Sequence, residues 1–151
     1  RHTRYPLVTG VQTCALPIYF LLIFVWTPPH FWALALVKSH EYARAGVPML
    51  PVVSGPEATR VHILIYSLAL IPVGMAPALI SNAGWIYLIV ATLSGIVLAY
   101  YAYDLYRKRD GDAGRIAAFR LFGTSIIYLF ALFGARLVEQ LLPLIPWSLM
   151  K

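Results

Sequence analysis

Charge is what this chain of 151 residues has least of. Lys, Arg, Asp and Glu together make up 12% of it, while 60% is hydrophobic. A soluble domain is typically about 25% charged and about 45–50% apolar, so a soluble globular fold is not the expectation. The deficit is also concentrated, because no Lys, Arg, Asp or Glu occurs from Val61 to Tyr103. Such a chain reads as an integral membrane protein, with room for several spans of about 20 apolar residues each. The net charge of +6 does not point to nucleic acid, since in so apolar a chain basic residues mark cytoplasmic loops. Cysteine is nearly absent as well. The single one, Cys14, excludes an intrachain disulfide or a thiolate metal cluster, and HExxH is missing, so a zinc site is not expected.

What is present divides into an odd leader and four apolar segments. Residues 1–18, RHTRYPLVTGVQTCALPI, look like neither a signal peptide nor a helix, with two prolines, a glycine and polar β-branched residues. They resemble the translation of a sequencing adapter, so they are expected to be non-native, with natural sequence beginning near Tyr19. Without Arg1 and Arg4 the formal charge is +4, from ten basic and six acidic residues.

The fold class expected is all-α: a polytopic transmembrane helix bundle of four spans, at about 19–37, 61–80, 84–103 and 119–142. The first contains Pro28 and Pro29, and proline within a helix removes a backbone hydrogen bond. A kink or a restart near Thr27 is expected, with Thr27 as an N-cap and Pro28 at the first helical position as one resolution. Residues 38–60 form a polar connection with one further helical turn at Ser39 to Ala45. Pro72, Gly74 and Pro77 should bend the second span, which neighbours can tolerate by satisfying freed backbone groups. A short turn at Ser81, Asn82 and Gly84 follows, and Trp85 and Tyr87 open the third span as interfacial aromatics do. In the fourth, Arg136 and Glu139 lie three residues apart and should pair or snorkel at the membrane surface. The closing LLPLIPWSLMK looks interfacial. Loops 38–60 and 104–120 hold eight of the ten Lys/Arg beyond residue 18, which places both on the cytoplasmic side.

Most chemistry-bearing side chains fall in WTPPHFWALALVKSHEYARAGVPMLPVVSG, residues 26–55. His30 sits mid-span, where ionisable groups are costly and face a bundle interior or a watery cavity. A functional residue and a satisfied packing histidine are both open readings. On a continuous helix His30, Leu34, Val37 and Glu41 share a face, with His30 and Glu41 roughly 16 Å apart at about 1.5 Å rise per residue. They could line one cavity without touching. Lys38 and Arg44, with Arg107 and Lys108 from the neighbouring loop, suit the phosphate of an amphiphilic anion. A solvated helix end beside lipid headgroups is the bland alternative. Trp26, Phe31 and Trp32 can stabilise a cation through their π faces or simply supply packing bulk.

At WTPPHFWALAL, then KSHEYARAGVPMLPVVSG, and again at AAFRLFGTSIIYLFALF, the chain resembles the protoheme IX farnesyltransferase (heme O synthase) family of the UbiA superfamily of intramembrane prenyltransferases. The resemblance runs over residues 19–151. It implies nine transmembrane helices around a central cavity, of which the four spans here would be the last four, in a bacterial inner membrane. It implies farnesyl diphosphate and heme b as substrates, Mg²⁺ as cofactor, and heme A synthase as a partner in contact. Diphosphate would leave with help from Mg²⁺, a vinyl carbon of heme b would attack the farnesyl cation, and water would add.

Carried over by residue, the resemblance makes His30, Lys38 and Glu41 catalytic candidates, and Trp26, Phe31, Tyr42, Arg44, Arg107 and Lys108 substrate-binding ones. Glu41 with Tyr42 stands where an Asp-Tyr pair is usual, which lengthens the carboxylate by one methylene. Arg120 falls at a basic position before the last span. The asparagine- and aspartate-rich motif that gathers the metal is missing, and Asp104, Asp110 and Asp112 read as loop charges. Residues 19–151 alone are therefore expected to be inactive.

Two other readings stay open: a relative that prenylates a quinone precursor or chlorophyll-like ring, and a transporter or heme-handling scaffold. An NxxxDxxxD-type loop upstream would favour a transferase, and repeated inverted spans a transporter. For the leader, the parent nucleotide contig is decisive. Adapter sequence should end at codon 18, and native codons continuing upstream of position 1 would overturn that expectation.

Overall fold

A computed structural model describes residues 9–80, 84–108 and 111–142, with side chains from Leu16 onward. Expectations that fall on Arg1, Arg4, Cys14, the turn at Ser81 and Asn82, Asp110 and the segment 143–151 lie outside the described residues and side chains. The described chain is helical: α1 (Thr9–Val37), α2 (Ser39–Arg44), α3 (Leu50–Val53), α4 (Gly55–Ile80), α5 (Trp85–Arg107) and α6 (Gly111–Leu141). Four of these helices are long and apolar enough to cross a membrane. They form a ring in which α1 packs on α4, α4 on α5, α5 on α6 and α6 back on α1.

Two helices run past the limits that their apolar runs set. Helix α4 starts at Gly55 rather than Val61, with Pro56 on its first turn, where a missing N–H costs nothing. At 26 residues it measures about 39 Å at about 1.5 Å per residue. Helix α6 starts at Gly111, eight residues before the expected Phe119, and its 31 residues carry Asp112, Arg115 and Arg120 beyond the apolar slab. Their i,i+3 spacing lets Arg115 pair with Asp112 at 3.5 Å.

Helix α1 corrects two expectations. Residues 9–18 are helical, not a non-helical leader. Once the apolar run nucleates a helix, each added residue gains a hydrogen bond at little cost, and Pro17 is carried inside it. Nor does the helix restart at Thr27, since α1 runs unbroken through Pro28 and Pro29. Thr27 is no N-cap either. Its hydroxyl points backward and donates to the carbonyl of Ile23 at 2.7 Å.

The expected turn after the first span is present as α2. Lys38 leaves the helical region (φ −107°, ψ 22°), so the single face assumed for His30 and Glu41 is broken there. Helix α2 ends in a Schellman arrangement: Val47 N–H donates to Tyr42 O at 3.1 Å and Gly46 N–H to Ala43 O at 3.3 Å. Gly46 takes φ +66°, a left-handed conformation that a side chain would resist.

Small residues line the helix crossings, as close packing in a membrane requires. Buried Ala33, Ala91, Ala102, Ala117, Ala118 and Ala135 join the larger Leu70, Leu98, Leu121 and Leu132. Two buried tyrosines join helices through α4, which contains Pro72 and Pro77. Tyr128 Oη, from α6, donates to Leu70 O at 3.0 Å, and Tyr87 Oη, from α5, donates to Gly74 O at 3.0 Å. Gly74 is small because a Cβ there would overlap the Tyr128 hydroxyl.

At the end of the bundle away from Lys38, Glu139 does more than pair with Arg136 at 3.6 Å. Its carboxylate accepts from Gly84 N–H and Tyr87 N–H, each at 2.8 Å. It therefore caps the N-terminus of α5 from a neighbouring helix, where negative charge is also favoured by the helix dipole. With the Glu139 side chain only 9% exposed, Glu139→Ala should lower unfolding stability in mixed micelles by about 1–3 kcal/mol. Glu139→Gln, which keeps one acceptor, should lose less. Wild-type stability in the alanine variant would show that the cap contributes nothing.

Candidate functional site

The polar side chains of residues 26–41 lie in two places, one on α1 and one beyond its end. The upper one is a junction with α6. Trp26 and His30 are one helical turn apart and so share a face, and that face meets Phe122 and Ser125. His30 stacks on Trp26, with ring centroids 4.4 Å apart, and on Phe122 at 4.5 Å, with both rings within 23° of parallel. Phe31 meets it edge-on at 5.5 Å but is itself half exposed. Polar bonds fix the contact. Trp26 Nε1 donates to Ser125 O at 2.8 Å, and His30 Nδ1 lies 2.7 Å from Ser125 Oγ. Ser125 is buried and its hydroxyl reaches Phe122 O at 2.7 Å. The third tryptophan-region aromatic, Trp32, turns away toward α4, edge-on to His62 at 5.9 Å and Tyr66 at 5.4 Å.

The lower place is a cavity of about 420 Å³ at the end where both charged connections meet. Its lining includes Lys38, His40 and Glu41, Arg60 of α4 and Arg115 of α6, and the apolar Leu36, Leu105 and Ala118. Gly111 and Gly114 on α6 leave room for it. Lys38 Nζ pairs with Glu41 Oε2 at 3.1 Å. That pair is exposed, so its contribution to stability is small.

The structure thus brings Lys38 and Glu41 together and separates them from His30, which does not line this cavity. Of the other expected anion ligands, Tyr42, Arg44, Arg107 and Lys108 do not line it either. Lys108 Nζ is engaged by Asp104 of its own helix at 2.8 Å, and Arg120 borders a separate apolar pocket with Phe119 and Val37. Arg60, Arg115 and Ser125 were the residues missed. Arg60 follows the helix-start signal Gly-Pro-Glu at residues 55–57, and Ser125, with Thr124 before it, is a small polar residue in the largely apolar run 121–135. Either signal was readable.

No group of three or more His, Cys, Asp and Glu that could hold a metal ion occurs among the described residues. Among the described residues Glu41 is the one carboxylate that lines the cavity. Mg²⁺ takes an octahedral shell of oxygens, with carboxylates and substrate phosphates among them, so these residues do not by themselves fit that ion.

Four helices long and apolar enough to cross a membrane, a half-buried histidine at the junction of α1 and α6 and a basic cavity at one end mark a multi-pass membrane protein. The chain belongs to the UbiA prenyltransferase family, whose model matches residues 5–138. It is 51% identical over 133 residues to the "Protoheme IX farnesyltransferase" of Methylobacterium sp. (strain 4-46), covering 88% of this chain and 42% of that protein. It is 47% identical over 144 residues to the protein of the same name from Methylocella silvestris, covering 95% and 46%. The chain therefore spans less than half the length of these curated relatives. No solved structure matches.

Proposed function

We propose that this chain forms one wall of the active site of an enzyme that transfers the farnesyl group of farnesyl diphosphate to a vinyl group of heme b, giving heme O. The observation that carries this reading is the 51% identity, over 88% of the chain, to a relative named for that chemistry. The site's physical character agrees with it. A diphosphate has to be held where cations gather, and the cavity is bordered by Lys38, Arg60 and Arg115. An allylic cation has to be stabilised by π faces, and Trp26 and Phe122 stack on His30 with Phe31 edge-on to it.

In this reading Lys38 neutralises the departing diphosphate and Glu41 orients Lys38 through their 3.1 Å ion pair. His30 serves the reacting centre, with Trp26 and Phe31 beside it, Arg44, Arg107 and Lys108 act as an outer basic rim that draws the anion in, and the Tyr42 hydroxyl offers the substrate a hydrogen bond. Mg²⁺ belongs to the proposal through the family resemblance. When bound it would offset phosphate charge, and its ligands would have to include carboxylates besides Glu41. Basic loops 38–60 and 104–120 face the cytoplasm of a bacterial inner membrane, and heme A synthase is the partner implied for the product.

A chimera tests this directly. The segment of the Methylobacterium sp. relative matched by this chain is replaced with this chain's residues and expressed in cells lacking their own heme farnesyltransferase. Heme O should appear in the extracted pigments, and His30→Ala should lower its rate of formation by about 10²-fold or more. A stably inserted chimera that makes no heme O would overturn the assignment, and wild-type turnover in His30→Ala would remove His30 from the chemistry.

A further inference from the structure

The Ser125 hydroxyl has one proton and two neighbours. Phe122 O, 2.7 Å away, is a carbonyl and can only accept, so it takes that proton. The contact of 2.7 Å between Ser125 Oγ and His30 Nδ1 is then a hydrogen bond only if the imidazole donates. Both bonds form together in a single arrangement, with Nδ1 protonated and, in the neutral ring, Nε2 carrying the lone pair. The stacking of Trp26 and Phe122 on the imidazole and the anchoring of Trp26 Nε1 on Ser125 O at 2.8 Å keep the ring from turning over. One buried serine therefore fixes both the orientation and the tautomer of the histidine.

We propose that Ser125 is a positioning residue that holds His30 with Nε2 as its free acceptor, and that Nε2 takes the proton released when water adds to the prenylated vinyl group. This rests on the farnesyltransferase reading. Farnesyl C1 bonds to the outer vinyl carbon as its bonding pair leaves with diphosphate, and the positive charge passes to the inner vinyl carbon. Water oxygen bonds to that carbon, one water proton goes to Nε2, and a neutral secondary hydroxyl remains. With the opposite tautomer Nε2 would carry a proton already and could not act as the acceptor. The Ser125 hydroxyl thus decides whether the histidine can do this work, although it touches no reacting atom.

Two measurements separate the parts. Nitrogen-15 NMR of the histidine-labelled chain in lipid nanodiscs, with the His30 signals identified by their absence in His30→Ala, reads the tautomer without any substrate. His30 should show a protonated Nδ1 and an unprotonated Nε2 when neutral. Ser125→Ala should move the ring toward the Nε2-protonated form, and Ser125→Thr, which keeps the hydroxyl, should restore the wild-type pattern. A protonated Nε2 in the wild type, or a pattern that Ser125→Ala leaves unchanged, would overturn the proposal. In the chimera, Ser125→Ala should lower kcat on the order of tenfold, the lower end of what losing a histidine-orienting partner costs. KM for heme b should hold and Ser125→Thr should recover the rate. Equal kcat in Ser125→Ala and wild type would overturn the catalytic part. If the tautomer switches as expected but the chimera makes no heme O, the positioning stands and the farnesyltransferase reading fails.

Discussion

A helix that crosses lipid has no water to satisfy its backbone, and this chain places five prolines, at positions 17, 28, 29, 72 and 77, inside its crossing helices. Each removes one N–H and leaves a carbonyl one turn earlier without its usual partner. Side chains from adjacent helices bond to backbone groups at other positions and tie the helices to one another. Tyr87 and Tyr128 donate to carbonyls of α4, Trp26 donates to a carbonyl of α6, and Glu139 accepts from the first N–H groups of α5. With no hydrophobic force between helices in a lipid solvent, these bonds and the close packing of alanine and glycine set how the helices fit together.

The site follows from the same constraint. Trp26 and His30 lie on either side of the Thr27-Pro28-Pro29 run, and both are tied to Ser125 of α6. The segment least able to stabilise its own backbone is thus held by the helix it packs on. Placing an ionisable ring there is costly unless it is neutral and bonded, and the serine supplies the bond. At the other end of α1 the helix breaks at Lys38, polar side chains spread outward, and the cavity opens between α1, α4 and α6. Within one helix length the chain passes from apolar side chains to a basic mouth, the pattern on which the proposed amphiphilic substrate rests.

Much of this was legible in the sequence. The four crossings follow from apolar runs, and the turn at α2 and the pairing of Arg136 with Glu139 follow from local spacing. The family resemblance rested on a run of residues 26–55, and the family match bears it out. What was not legible depended on contacts between distant positions. Sequence spacing puts His30 and Glu41 on one face only while the helix continues, and a single non-helical residue, Lys38, removes that face. Prolines read as interruptions, whereas α1 and α4 run through theirs unbroken. Ser125 lies 95 positions from His30, and nothing local in either segment announces the other.

The account rests on the bond between those two side chains, and a double-mutant cycle measures it. His30→Phe keeps a ring to stack on Trp26 and Phe122 while deleting Nδ1, and Ser125→Ala deletes the hydroxyl. Unfolding free energies of the chain in mixed micelles should show a coupling on the order of 1 kcal/mol between the two changes. Single effects that sum to the double effect within about 0.3 kcal/mol would mean that His30 and Ser125 do not hold each other, and would contradict the account.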